Sequence, residues 1–159
     1  RGTLGIAQGG KIIANGRSTR LYKSLVLNKR IASGVNSYTG APGSKLPNLF
    51  MISVTPLQGH DSEECLKAID EEIVRLQQKG VTEQELTGAK NRILADMIWK
   101  MESNDGMAEH ISYFEGIGSS WKYLRDYEQV VQRFSTEDIK RLAQKYLVPG
   151  NRTIGILKP

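Results

Sequence analysis

The two histidines are the first residues to consider for catalysis, because imidazole is a common zinc ligand and general base. A zinc-hydrolase helix carries two histidines four residues apart, a spacing that points both rings at one ion. His60 and His110 lie far apart in the chain. His110 follows Glu109 on a predicted helix, where adjacent side chains point about 100° apart. We therefore expect neither histidine to act in catalysis.

The single cysteine is the other candidate for chemistry. Cys65 has no base near it in sequence and lies on the apolar side of a predicted helix, which indicates a packed thiol and not a nucleophile. One cysteine excludes an internal disulfide, and with two histidines it leaves no Cys/His metal cluster. The residues alone predict no catalytic, cofactor-binding or metal-binding group in this chain.

The charge is unevenly distributed. Residues 1–60 contain eight basic side chains and no acidic one, whereas all 17 acidic residues follow, and the formal net charge is +5. Such a one-signed region could bind nucleic acid, an acidic peptide or an acidic neighbouring domain. It could equally pair with the acidic remainder of the same chain.

Two helices are predicted in the first part of the chain. Leu4 to Ala14 resembles the end of a helix, closed by the pair Asn15-Gly16. Ser18 is the predicted N-cap of the next helix, in which apolar residues recur at helical spacing until Asn28.

Three strands are predicted from apolar alternation. The segments are Ile31–Thr39, Leu49–Thr55 and Arg152–Lys158. In the first, the pattern places on one face Ile31, Ser33, Val35 and Ser37. Gly and Pro residues between the first two segments predict an irregular connection in an antiparallel hairpin.

The region between the second and third strands predicts consecutive helices. Asp61 caps the first, which ends at Gly80, and Thr82 with Glu85 forms a capping box for the second. Two further helices are predicted at about 105–115 and 120–133, the latter with its inward face formed by Trp121, Leu124, Tyr127 and Val131. Ser135 and Asp138 repeat the capping box before a last helix.

Early strands, consecutive helices and a late strand predict an α+β fold, with an antiparallel sheet covered on one face by helices. The length of 159 residues suits one domain, 1–159, and no apolar run is long enough to span a membrane. Because a three-stranded sheet is thin, we expect one or more strands upstream of Arg1.

Three segments together resemble a known family. They are "NGRSTRLYKSLVLNKRIASGVNSY", "VTEQELTGAKNRILADMIWKMES" and "FSTEDIKRLAQKYLVPGNRTIGILKP". In order and spacing they are similar to the C-terminal, non-catalytic domain of pitrilysin and mitochondrial-processing-peptidase-like zinc metallopeptidases, the inverzincins. The family's helix-start motif is matched by Ser18, Arg20, Leu21 and Tyr22.

The resemblance implies a non-catalytic domain that forms the wall of a substrate chamber and a domain or subunit interface for peptide hydrolysis. Zinc is expected in an upstream domain of the parent chain or in a partner subunit, since H-x-x-E-H is absent here. Many relatives use an Arg and a Tyr to hold the substrate carbonyl. The aligned positions are Val26 and Ser33, which cannot do so, and Arg30 and Tyr38 do not match the motif spacing.

The implied partners are the catalytic-type domain, a second peptidase-family subunit and a peptide substrate. The isolated chain is expected to form a homodimer through an unpaired sheet edge. We favour a zinc-bearing subunit whose partner supplies the Arg/Tyr pair. Two alternatives are an inactive structural subunit and a basic module that binds nucleic acid or another polyanion, which the lack of a groove-reading motif disfavours.

Overall fold

The computed structural model of the chain describes residues 11–14, 16–41, 43, 48–116 and 120–157. Its helices and strands, in chain order, are the π-helix α1 (Tyr22–Asn28), β1 (Ala32–Ala41), β2 (Leu49–Pro56), α2 (Ser62–Lys79), α3 (Glu83–Lys100), α4 (Asn104–Gly116), α5 (Lys122–Arg125), α6 (Tyr127–Gln132) and α7 (Thr136–Tyr146). A 3₁₀ turn follows at Pro149–Asn151. The α+β prediction is confirmed.

The hairpin of β1 and β2 is the sheet of the described part of the chain. Its strands are antiparallel, with Val35 opposite Val54. Helices α1 and α2 pack on this hairpin, and α7 packs along α2. The core lies between these elements, and its largest fully buried side chains include Leu21, Leu25 and Leu76.

Three of the helix starts predicted from side-chain caps are confirmed. Asp61 accepts a hydrogen bond from the Glu64 backbone N–H at 2.7 Å, and Gly80 ends α2. The capping box of Thr82 begins α3, and that of Ser135 begins α7. These signals are local, and the surrounding fold does not override them.

The predicted cap of the second helix is wrong. No side chain caps α1, and the Ser18 hydroxyl instead lies 3.5 Å from Nη1 of Arg92. Of the helix predicted at Leu4–Ala14, residues 11–13 are helical. Ala14 forms a turn, whereas residues 4–10 and Asn15 lie outside the described residues.

The alternation predicted for the first strand fails at one residue. A β-bulge between Ala32 and Gly34 adds a residue to β1, so Ala32 is buried and Ser33 is exposed. Beyond the bulge the expected face returns, with Val35 and Ser37 buried. Ser33 therefore does not share the core face.

Two other predicted elements differ. The helix predicted at 120–133 is broken at Asp126, whose ψ is near 0° and whose carboxylate binds Arg125. Trp121 is accordingly exposed, although Val131 is fully buried. Residues 152–157 do not form the predicted third strand, because they pair with neither β1 nor β2, and Lys158 lies outside the described residues.

Candidate functional site

The helix-start motif forms a well-defined polar contact. Arg20 donates from Nε to Oε1 of Glu85 at 2.7 Å and from Nη2 to Oε2 at 2.8 Å. The same Nη2 also donates to the Gly80 carbonyl at 2.9 Å. This bidentate geometry is the strongest arrangement available to an arginine and a carboxylate. Arg20 thus fixes the start of α1 to the turn between α2 and α3.

Glu85 is held by both Arg20 and the capping box. Its Oε2 accepts from the Thr82 backbone N–H at 2.8 Å and from the Thr82 hydroxyl at 3.1 Å. These contacts, led by the Arg20 hydrogen bond, lower the pKa of Glu85 to about 2. The hydrogen bond to Glu85 also raises the pKa of Arg20. Both groups therefore remain charged, and their hydrogen bonds to each other stabilise the fold.

The other motif residues are also packed. Leu21 is fully buried in the core, and Tyr22 packs against the core while half-buried. Leu21 and Tyr22 therefore contribute to the core, and Arg20 makes the contact with Glu85. Ser18 lies beside Arg92.

Val26 and Ser33, the residues predicted to occupy the family's Arg/Tyr positions, both make contacts within the fold. Val26 is half-buried and packs against the core. Ser33 is exposed, and its hydroxyl donates to the Thr55 carbonyl at 3.1 Å. Arg30 is exposed with a positive φ of 54°, and Tyr38 is exposed on β1.

The histidines do not form a shared site. Nδ1 of His60 lies 2.7 Å from Oε2 of Glu64, and Nδ1 of His110 lies 3.1 Å from the Gly106 carbonyl on its own helix. No group of three His, Cys, Asp or Glu side chains in the described part of the chain could hold a metal ion. The residues described here thus do not fit a zinc site.

Cys65 is packed as predicted. Its side chain is buried in the core, and Sγ lies 3.6 Å from the Ile31 carbonyl. Burial raises the pKa of the thiol, and the nearby Glu64 carboxylate adds to the effect. A raised pKa lowers the thiolate fraction, which is the nucleophilic form.

The basic N-terminal region pairs with acidic residues of the helices. Lys11 binds Asp96, Arg20 binds Glu85 and Lys29 binds Glu71. The last pair is exposed, and its carboxylate pKa is lowered by the Lys29 hydrogen bond. Intramolecular pairing therefore neutralises part of the positive charge that the sequence concentrates in residues 1–60.

A basic cleft that the sequence pattern does not reveal lies beside this region. The cleft has a volume of about 540 Å³ and lies between α1, the C-terminal end of α2 and the turn that follows it. Lys23 of α1 and Lys79 of α2 both line it, although they are distant in sequence. The lack of acidic residues in residues 1–60 indicates the basic side chains that α1 contributes to this cleft. It does not indicate those that α2 contributes.

None of the helices in the described residues combines the length and apolar character that a membrane span requires.

A family model matches just over half of the chain. The family described as Peptidase M16 inactive domain matches residues 9–93. No curated protein matches the sequence.

Solved structures show the same fold. The inactive peptidase domain of a candidate zinc protease from Bordetella parapertussis is 27% identical, with a TM-score of 0.83 over 97% of this chain and 82% of that one. A candidate zinc protease from Bordetella pertussis Tohama I is 27% identical, with a TM-score of 0.80 over 96% and 82%. A Helicobacter pylori protease, at 23% identity, has a TM-score of 0.81 over 92% of this chain but only 35% of its own.

Proposed function

This chain belongs to the Peptidase M16 inactive-domain family, and we propose that it forms a wall of the substrate chamber of a zinc metalloendopeptidase. In this role it also provides the interface to a zinc-bearing domain or subunit. The domain itself contributes shape and contact surface, and the hydrolytic chemistry belongs to its partner. We further propose that residues 1–159 act as one domain within a longer parent protein.

The observation that carries this proposal is the chemistry where α1 passes into β1. Val26 packs on the core and Ser33 binds Thr55, so neither position offers a donor that reaches a substrate carbonyl. Arg20 uses its Nε and Nη2 donors inside the fold. A zinc-bearing partner that supplies its own carbonyl-binding pair would complete the site.

Reconstitution tests this function. The chain is combined with the H-x-x-E-H-bearing domain encoded in the same gene or in a neighbouring gene, and cleavage of a fluorogenic peptide is measured. We expect activity from the mixture and little from either part alone. A zinc-bearing domain that is equally active without this chain would contradict the proposal. Stoichiometric zinc in this chain alone, by elemental analysis, would also contradict it.

The proposed role as a polyanion-binding module has weaker support. Lys11, Arg20 and Lys29 are held by carboxylates of α2 and α3, so fewer free cations remain for a nucleic-acid backbone. Fluorescence-anisotropy titration with single- and double-stranded oligonucleotides at two salt concentrations separates the roles. Tight binding that weakens steeply with salt would favour the module.

A further inference from the structure

The basic cleft has a surplus of positive charge that internal pairs do not remove. Five cationic side chains line it: Arg20, Lys23, Lys29, Arg75 and Lys79. Three of these bind carboxylates, namely Arg20 with Glu85, Lys29 with Glu71 and Arg75 with Glu72. Within the described residues, Lys23 and Lys79 have no such partner, so two positive charges remain.

The one carboxylate that lines the cleft does not cancel this surplus. Glu72 is buried and accepts from Nη1 of Arg75 at 2.7 Å. Its charge also acts on Arg20, whose pKa it helps to raise. Glu72 therefore lies among cations that already compensate it, and the two lysines are available to an incoming anion.

The size and lining of the cleft indicate the kind of anion. A volume of about 540 Å³ would leave an inorganic ion surrounded mostly by water, since one water occupies about 30 Å³. Ser24 and Asn28 also line the cleft, and a hydroxyl and an amide can bond to a peptide backbone. An extended segment of a few residues would fill the space.

We propose that this cleft binds an acidic peptide segment, with one carboxylate at Lys23 and another at Lys79. The proposed occupant is an acidic segment of a partner domain, because the two unpaired positive charges of the cleft complement its carboxylates. This inference does not depend on the proposed function, because it concerns only the charges and shape of the cleft.

Lys79 has a second role that the test must separate from binding. It lies in the last turn of α2, where a positive charge stabilises the exposed carbonyls of the helix end. Lys100 holds the same position in α3 and is exposed, but it does not line the cleft. Lys100→Gln therefore reproduces the helix-end effect without changing the cleft.

The experiment titrates the full chain with a synthetic peptide, acetyl-Gly-Glu-Ala-Glu-Gly-amide, and follows amide chemical shifts by NMR. The Gln-containing counterpart and inorganic phosphate are titrated in parallel. The test variant is Lys23→Gln with Lys79→Gln. The matched control is Lys100→Gln with Lys122→Gln, which removes the same charge from exposed lysines elsewhere.

We expect the acidic peptide to shift amides around the cleft and the test variant to weaken its binding roughly fivefold or more, since each exposed ion pair contributes modestly. The control variant should bind as the wild type does, and the Gln peptide should bind more weakly.

Equal loss in both variants would show unspecific attraction and overturn the proposal. Phosphate binding as tightly as the peptide, or no saturable binding, would also overturn it.

Discussion

Arg20 and Glu85, 65 residues apart in sequence, are joined by two parallel hydrogen bonds of 2.7 and 2.8 Å. The pair links the helix-start motif to the capping box of α3, so one carboxylate serves a tertiary contact and a helix cap together. Its side chains are 19% and 32% exposed, which shields the pair only in part from solvent. The motif arginine is therefore a structural residue in this chain.

The first prediction concerns Glu85→Gln. Its folded pKa of about 2 lies below the ordinary 4.5, so the ionised form stabilises the folded state above pH 4.5, and this contribution is lost as the pH falls towards 2. We expect a loss of about 1–2 kcal/mol at pH 7, after allowance for partial exposure. Urea unfolding at several pH values should show the difference from wild type shrinking below pH 4.5.

Glu83→Gln is the control for this prediction, because Glu83 lies in the same first turn and, among the described residues, accepts one long hydrogen bond, from the Thr136 hydroxyl at 3.4 Å. It should cost much less at pH 7. Equal losses in the two variants would mean that the effect arises from the helix dipole and not from Arg20.

The second prediction compares two glycines of neighbouring segments. Gly80 has φ 69° and ψ −152°, a conformation that side chains rarely adopt. Gly80→Ala should destabilise the protein by about 1–3 kcal/mol. Gly88 lies inside α3, where an added Cβ would meet Arg92 at an ordinary 3.5 Å, so Gly88→Ala should stabilise it by about 0.5–1 kcal/mol. Thermal unfolding of both variants checks the opposite signs.

The third prediction is that Cys65 is unreactive in the folded protein. The thiol is fully buried and its pKa is raised, so a thiol reagent such as DTNB at pH 8 should label it only after unfolding. Labelling with and without denaturant measures this. One fast equivalent in native buffer would show that the region around α2 opens readily.

Local signals were enough to predict much of the fold. The side-chain caps at Asp61, Thr82 and Ser135 are confirmed because each needs only residues three apart. Apolar alternation also gave the β1 and β2 hairpin. The same reasoning failed at Ser33, because a bulge depends on the partner strand and leaves no pattern in a single strand.

Tertiary contacts were beyond the reach of the sequence. The spacing of Arg20 and Glu85 does not indicate their contact, and each residue already has a local explanation. The last strand was predicted wrongly because apolar alternation in residues 152–157 describes the side-chain pattern alone, whereas a strand also needs a neighbouring edge. The basic cleft is not visible in the sequence for a similar reason, since Lys23 and Lys79 come to line one cleft only in the folded chain.

The fourth prediction tests the degenerate Arg/Tyr positions in the reconstituted peptidase. Ser33→Ala should leave the cleavage rate within about twofold of wild type, because the hydroxyl donates to the Thr55 carbonyl of the same hairpin. Val26→Ala should lower stability by about 1–2 kcal/mol through lost packing while the rate per folded complex is retained. A large fall in kcat for Ser33→Ala would show that this position touches substrate after all.

The last prediction concerns self-association of the isolated chain. Ile98 and Trp99 at the end of α3 are 66% and 76% exposed, and none of the residues of α4 is buried. Apolar side chains this exposed favour association, and a closed two-fold dimer is the commonest outcome. We expect a dimer by light scattering, and Ile98→Lys with Trp99→Lys should shift it towards the monomer without loss of the fold.

The control is Leu27→Lys, which changes an exposed apolar residue on α1 and should leave the dimer intact. If the wild-type chain stays monomeric at high concentration, the prediction is wrong, and if only Leu27→Lys dissociates the dimer, the contact lies at α1 and not at the end of α3.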